Sequence, residues 1–338
     1  MPKTIRKQFD KYLTYENLMI SHQKSKKGKS AKESIVKFEM KKEEYLLWLY
    51  KNLKNQTYKH GTYKCFYVYD PKMRKIESAR YIDRVVHRWY VDFFITPYFV
   101  PSFIPTTYAC IKERGMHKCA LDVQKAMKKA KKMWGEYYIL KMDVAKYFFS
   151  IDKNVLIEIL ERKIKDPKLM WLTKEILYSK KEEVGIPIGN YTSQLFANIY
   201  LNEVDQYIKN NLKARFYFRY MDDSIILLKD KEELKDYLEK IKTFLKEKLH
   251  LELNNKTNIF KSKQGVNFCG YQINEYRLKI RRKGKIRLKR KIKKLKLLVK
   301  NGKISSNEAR KYLCGHLGYM KYANTYFLKQ KLFYDIED

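Results

Sequence analysis

Acid is what this chain of 338 residues has too little of: 37 Asp and Glu stand against 74 Lys and Arg, a formal charge of +37. An excess of that size cannot be balanced internally, so a polyanion is expected beside the folded chain, either nucleic acid or an anionic membrane. Long apolar runs are missing as well. The nearest, Trp89 to Ile104, is interrupted by Asp92, Pro97 and Pro101, so no bilayer-spanning helix is expected. The N-terminus, Met1-Pro2-Lys3-Thr4, runs into charged residues without the apolar centre of a signal peptide. Cysteine is sparse and scattered at Cys65, Cys110, Cys119, Cys269 and Cys314. That odd number, with no Cys-x-x-Cys pair, excludes a disulfide framework and suits free thiols in a reducing cytoplasm. His117 and Cys119 therefore read as structural rather than metal-binding. Aromatic residues are plentiful, 29 Tyr among them, and supply core as well as surfaces on which bases could stack.

Along the chain, residues 1–35 are polar and Lys-rich and read as a mobile basic segment against backbone phosphate. Helical spacing runs from Val36 to Leu53, with Tyr45, Leu46, Trp48 and Leu49 on its apolar side. Tyr63 to Tyr69 alternates as a strand, Asp70-Pro71-Lys72-Met73 reads as a turn, and a helix is predicted from Ile82 through Phe94. Basic residues such as Lys72 and Arg74 are usually solvated surface, but in a nucleotide-dependent enzyme they could clamp a triphosphate. Arg114-Gly115-Met116-His117-Lys118 is a basic loop leading into a helix, and Lys128 to Lys132 continues its charged face. Gly185-Ile186-Pro187-Ile188-Gly189-Asn190-Tyr191-Thr192-Ser193 is a rigid loop with Ser193 as the predicted cap of the helix that follows. Leu234 to Leu249 predicts an amphipathic helix, Leu251 to Phe260 a strand carrying Lys256, and residues 267–271 with 278–280 a hairpin. Between Arg277 and Lys300, 14 of 24 residues are Lys or Arg and none is acidic. Leu288, Ile292, Leu295 and Val299 keep helical spacing there, so a folded basic helix is expected, followed by helices over Ser305–Leu317 and Tyr319–Leu332.

The chemistry concentrates at Phe216-Tyr217-Phe218-Arg219-Tyr220-Met221-Asp222-Asp223-Ser224-Ile225-Ile226-Leu227-Leu228. Two acids between two apolar, β-prone runs predict a tight hairpin with carboxylates at its tip. An isolated Asp-Asp pair is most often a solvated turn. Apolar strands on both flanks instead imply acids delivered by a buried element, where like charges side by side require a cation. A third acid stands at the end of another apolar strand, Tyr137-Tyr138-Ile139-Leu140-Lys141-Met142-Asp143-Val144. Its alternative role is to cap the next helix.

Acid-ended strand, Gly-bounded loop and helix, Asp-Asp hairpin, Lys strand and aromatic-Gly hairpin follow in the order that a polymerase palm requires. Tyr220-Met221-Asp222-Asp223 resembles the YxDD box of reverse transcriptases, and Asp143 with Tyr147-Phe148 resembles their first acidic motif. Gly185-x-Pro187-x-Gly189 with Ser193 resembles their template- and nucleotide-positioning loop, and Phe268-x-Gly270-Tyr271 their primer grip. The resemblance spans about residues 60–330. It implies an α+β right-hand polymerase: a basic N-terminal extension with a helix over 1–60, fingers over 61–136, and a ferredoxin-like palm over 137–275 with part of the fingers inserted near 152–190. A basic helical thumb over 276–338 completes it. The implied reaction is RNA-directed DNA synthesis by two-metal nucleotidyl transfer, with Mg²⁺ as the ion and Mn²⁺ as substitute. Asp143, Asp222 and Asp223 would be the catalytic acids and metal ligands, with the Val144 carbonyl assisting. Arg74, Phe148 as steric gate, Ile188, Gly189, Gln194 and Lys256 would face the nucleotide, Lys256 as proton donor to pyrophosphate. Phe268, Gly270 and Tyr271 would grip the primer. Arg281, Arg282, Lys285, Arg287, Lys289 and Arg290 would track the duplex from the thumb.

The loop residue before Gly189 is Ile188, where retroviral and group II intron enzymes typically carry Gln. Ile188-Gly189-Asn190-Tyr191-Thr192-Ser193-Gln194 with Ala197-Asn198 resembles the enzymes of diversity-generating retroelements, as do Asp83-Arg84-Val85-Val86-His87 and Leu317 to Asn324. Arg114-Gly115-Met116-His117 departs from that group's Gly-Lys-Gly-Thr-His. This subtype implies adenine-directed misincorporation, a template-repeat RNA, dNTPs, the RNA–cDNA duplex and a small, basic, oligomeric accessory protein in a bacterial, phage or archaeal cytoplasm. A retron, group II-like or phage-defence reverse transcriptase is the alternative, and no HNH-like or RNase H segment is visible. A non-catalytic RNA-binding scaffold is the alternative of another class, disfavoured by three mutually repelling acids.

Overall fold

A computed structural model describes residues 4–69 and 73–333. It divides into two compact units, one formed by residues 1–105, 144–211 and 241–254, the other by 106–143, 212–240 and 255–338. The turn expected at Asp70-Pro71-Lys72 lies outside the described residues.

The first unit is mainly helical. Its N-terminal part is folded rather than mobile: Ile5, Phe9, Leu13 and Leu18 are all buried. A helix over Tyr15–Lys26, capped by the Thr14 hydroxyl, packs against the Tyr81–Tyr90 helix. The lysines misled because they line only the outer side, while Phe9 seats edge-on against Trp89 at 5.4 Å and the Trp89 indole donates to the Tyr12 carbonyl. Asp166 ties the segment down. Its Oδ2 accepts from the amides of Gln8 and Phe9, and its Oδ1 accepts from Lys168 and Leu169 at the start of the Pro167–Leu177 helix. The helix expected over Val36 to Leu53 is divided at Lys41 into Glu33–Met40 and Lys42–Lys54. The Tyr81–Tyr90 helix continues through a π-turn over Val91–Ile95, and the strands β1, Lys64–Val68, and β2, Arg74–Ser78, form an antiparallel ribbon.

In the second unit, β3 (Tyr138–Asp143), β4 (Phe216–Tyr220), β5 (Asp223–Leu228) and β6 (Asn258–Lys261) form an antiparallel sheet in the order β4-β5-β3-β6. With the strands taken in chain order this is the ferredoxin-like arrangement, in which the first and third strands are central. Only Asn258 onward is strand. Lys256 sits exposed in the turn before it, because the Leu251–Asn254 stretch belongs to the other unit. A smaller sheet follows, β7 (Val266–Phe268), β8 (Tyr271–Ile273) and β9 (Leu278–Ile280). The Met116–Trp134 helix packs on β4, β5, β8 and β9 through Cys119, Ala120, Val123, Ala126, Met127 and Ala130, most of them small residues that let backbone approach sheet closely. The basic C-terminal stretch folds as Arg282–Lys300, Ser306–Tyr322 and Tyr326–Phe333 around Leu288, Ile292, Leu295, Leu313 and Met320. The break expected near Gly318 does not occur. Ser305 and Glu308 form a reciprocal cap, and the helix runs on to Tyr322.

Asp166→Ala leaves four backbone donors without their acceptor in a buried place. It is expected to destabilise the chain by about 2–4 kcal/mol, read as a lower urea midpoint with faster proteolysis of the first 20 or so residues; an unchanged midpoint counts against the anchoring role.

Candidate active site

The register of β3 against β5 decides the site. Asp143 pairs directly with Asp223, and Tyr220 pairs with Asp223 across the hairpin. Directly opposed residues of an antiparallel pair share a face, with Cβ atoms about 4.5–5.5 Å apart. Two carboxylates are thus held side by side by backbone hydrogen bonding, not by loop placement. Asp222 stands beside them in the two-residue turn Met221-Asp222. Met221 takes φ +57°, a left-handed conformation that costs a non-glycine residue about 1–3 kcal/mol.

Arg219 holds that turn. The residue is buried, its guanidinium donates to the Met221 carbonyl at 3.0 Å, and its backbone is clamped to Thr106 and Tyr108. Lys141, two residues before Asp143 and on the same face of β3, places its ammonium 3.0 Å from Asp223 Oδ1. Neither residue was singled out in the sequence. Lys141 was findable from strand alternation, since position 141 must share the face of position 143. Arg219 was not, because nothing local says that its side chain folds back onto the turn.

Burial pushes the Asp223 carboxyl up to about 6, with Asp143 and Asp222 adding to the rise and Lys141 opposing it. Asp223 Oδ1 is enclosed and has no hydrogen-bond donor aligned on it. Among the described residues no three acid, imidazole or thiol groups already form a metal cage. The donor set nevertheless fits a hard divalent cation: oxygens only, with the like-charged Asp143 and Asp223 directly opposed and Asp222 beside them.

Of the nucleotide-facing residues expected from the sequence, Arg74, Phe148, Ile188, Gly189 and Gln194 lie in the first unit, where backbone bonds gather several of them, and Lys256 lies in the second. The Ile186 amide donates to the Phe148 carbonyl and the Gly185 amide to the Ile151 carbonyl, both at 2.8 Å, while the Glu77 amide of β2 donates to the Ile188 carbonyl at 2.9 Å. Gly189 takes φ +120°, a conformation side chains rarely adopt, and a Cβ there would crowd the Ile76 side chain at 3.0 Å. Arg74 begins the same strand β2. Val144 also belongs to this unit, pairing with Leu253. Gln194 and Ser193 lie within the helix Tyr191–Gln206. Asn190 holds the cap position, so the predicted capping role of Ser193 is not seen.

In the second unit Phe268 and Tyr271 are fully buried and pair across a turn in which Cys269 and Gly270 both have positive φ, as a tight hairpin demands. The turn itself is half-buried, and the exposed side chains of the hairpin are Asn267 and Gln272. Tyr271 is braced by His117, whose Nδ1 lies 2.7 Å from its hydroxyl and whose ring stacks on Tyr322 at 4.5 Å. His117 is structural, as its sequence context suggested. Arg281, Arg282, Arg287, Lys289 and Arg290 are exposed along the basic helix, and Lys285 is half-buried.

A ferredoxin-like sheet with paired acids at the end of its central strands, one of them at a hairpin tip, defines a nucleic-acid polymerase palm. Residues 58–273 match the family described as reverse transcriptase (RNA-dependent DNA polymerase), and the chain belongs to that family. It is 25% identical over 362 residues to the group II intron-encoded protein LtrA of Lactococcus lactis subsp. cremoris, covering 84% of this chain and 57% of LtrA. It is 24% identical over 243 residues to protein YkfC of Escherichia coli, covering 60% of this chain and 63% of that one. The chain thus spans about six-tenths of the length of these relatives. Among solved structures it is similar to apo telomerase from Candida tropicalis, with a TM-score of 0.51 at 13% identity over 66% of this chain and 49% of that one, a likeness of fold.

Without divalent metal, Asp223 is expected to titrate near 6, and Lys141→Met to move that midpoint upward, as followed by carboxyl carbon NMR. The folded-state value lies above the unfolded one. The metal-free protein therefore gains relative stability from this group below about pH 4 and loses it as pH rises through 6; a midpoint indifferent to Lys141 would remove the ion pair from this account.

Proposed function

We propose that the chain is an RNA-directed DNA polymerase, the single carrying observation being the Asp143–Asp223 cross-strand pair beside Asp222 at the hairpin tip. Asp143, Asp222 and Asp223 would hold Mg²⁺, with the Val144 carbonyl next in the chain. When bound, two such ions supply charge neutralisation at phosphorus and activation of the primer hydroxyl. The protein's own part is positional. β3 and β5 fix the carboxylates, Arg219 sets the turn, and Lys141 holds Asp223 ionised against the pull of burial. Phe148 and Ile188, joined by backbone bonds to the Gly185–Gly189 loop, are proposed to face the sugar and base of the incoming dNTP, with Arg74, Gly189 and Gln194 about it and Lys256 as proton donor. The Cys269-Gly270 turn is proposed to present backbone to the primer, and the helix from Arg282 to offer charge to the RNA–cDNA duplex in a thumb, the remainder dividing into fingers and palm as the family pattern implies.

Within the family we infer the error-prone, diversity-generating subtype. Its support is Ile188, which puts an apolar side chain where an amide is usual. That reading carries with it a template-repeat RNA and a small basic accessory protein. The likeness to LtrA keeps a group II-like enzyme as the second reading.

Primer extension on an RNA template is expected from the wild type, with Asp222→Ala/Asp223→Ala reducing it at least about a thousandfold, since metal-borne charge stabilisation is worth several kcal/mol. Equal activity in both, or none in either, defeats the polymerase reading. Ile188→Gln is expected to lower misincorporation opposite template adenine, measured by sequencing cDNA made by both forms; identical error spectra would remove the diversity-generating inference.

A further inference from the structure

The Met116–Trp134 helix carries six lysines, no arginine and a single acid, Asp122. Its inner face is packed against the sheets, so the charge is confined to the outer one, where Lys118, Lys125, Lys128, Lys129 and Lys132 are exposed. They recur at helical spacing along a ridge of about 21 Å, from 1.5 Å of rise per residue. Among the described residues no carboxylate lies within ion-pair distance of Lys118, Lys128, Lys129 or Lys132. Asp122 is taken by the Tyr108 hydroxyl at 2.9 Å and stands 3.8 Å from Lys125. Glu136, just past the helix, is held by Lys263 at 2.9 Å.

Unrelieved like charges at i,i+3 and i,i+4 destabilise a helix, and this chain has another way of building a lysine-rich one. The Lys231–Leu249 helix also has six lysines but intersperses five acids, with Lys235–Glu232 and Lys240–Asp236 paired. So large an excess of lysine over acid is therefore not a general habit of its long helices. It appears here and on Arg282–Lys300, the helix already assigned to the duplex.

We propose that this lysine ridge is a second nucleic-acid surface, binding the sugar–phosphate backbone of template RNA outside the duplex held at the acids. RNA is the polyanion indicated by the family to which the chain belongs. Lysine without arginine or interleaved aromatics suits point-charge contact with phosphate, which fixes position without reading sequence.

The test is the full-length quadruple variant Lys125→Ser, Lys128→Ser, Lys129→Ser, Lys132→Ser, its arginine counterpart, and the wild type. Binding of a labelled stem–loop RNA with a single-stranded tail is measured across a potassium chloride series, and extension is measured on a short annealed RNA–DNA template–primer. The serine variant is expected to bind the RNA at least about tenfold more weakly, with the salt slope reduced by about three, and to extend the short duplex normally; the arginine variant should bind as the wild type does. Unchanged affinity and slope, loss in the arginine variant, or an equal loss on the short duplex would overturn the proposal. RNA binding is read without catalysis, so a wild type that failed to extend primers would defeat the polymerase reading and leave this one standing or falling on the binding arm.

Discussion

Everything at the site depends on one register, Asp143 opposite Asp223. Sheet pairing is usually arranged so that opposed side chains attract or pack, and like charges directly across a ladder are unfavourable. Here the ladder enforces the repulsion. Ile139, Leu140, Met142 and, on β5, Ile225, Ile226 and Leu227 are all buried, and a slip by one residue would turn Lys141 and Asp143 onto the face that buries Leu140 and Met142. Hydrophobic burial over the length of two strands thus fixes a carboxylate pair that its own electrostatics would separate. The energy stored there is available to any cation that fits.

The turn joining β4 and β5 shows the same division of labour. A two-residue loop with positive φ at its first position is ordinarily a place for glycine; Met221 occupies it. The strain persists because Arg219, buried beneath, holds the Met221 carbonyl, and because its own backbone is bonded to Thr106 and Tyr108. Asp222 is presented by a strained, over-determined turn, which keeps it from relaxing away from its two neighbours.

Much of this was open to reading in the sequence, and the limits are physical. The acids, the Gly-bounded loop and the basic helix announce themselves because period, flanking and residue type are local properties. The folded N-terminus did not, since Phe9 is an isolated apolar residue that packs on Trp89 and is anchored through its amide to Asp166, both far along the chain. Lys256 left its strand because the chain passes between compact units just before it. The helix end near Gly318 was misjudged because a glycine stops a helix only when nothing packs across it, and Leu313 and Met320 are both buried in one core. Phe268 and Tyr271, expected from the sequence to grip a primer, are buried, so their side chains shape the turn rather than form its outer surface.

The distribution of sign carries the argument one step further. A chain with formal charge +37 would repel divalent cations if its charge were uniform, yet Asp222 and Asp223 at the hairpin and Asp143 on the neighbouring strand cluster together, with the Lys141 ammonium against Asp223. The hairpin is thus a cluster of carboxylates on a chain that is otherwise strongly basic. Fields of this kind act over about a Debye length, roughly 8–10 Å at physiological salt. On the proposed reading the lysine-rich helices hold phosphate backbones while the hairpin attracts divalent ions. Lys141 in that arrangement is a partial counter-charge. It holds Asp223 closer to ionisation than burial alone would allow, and it leaves the residual negative charge that a metal would take up.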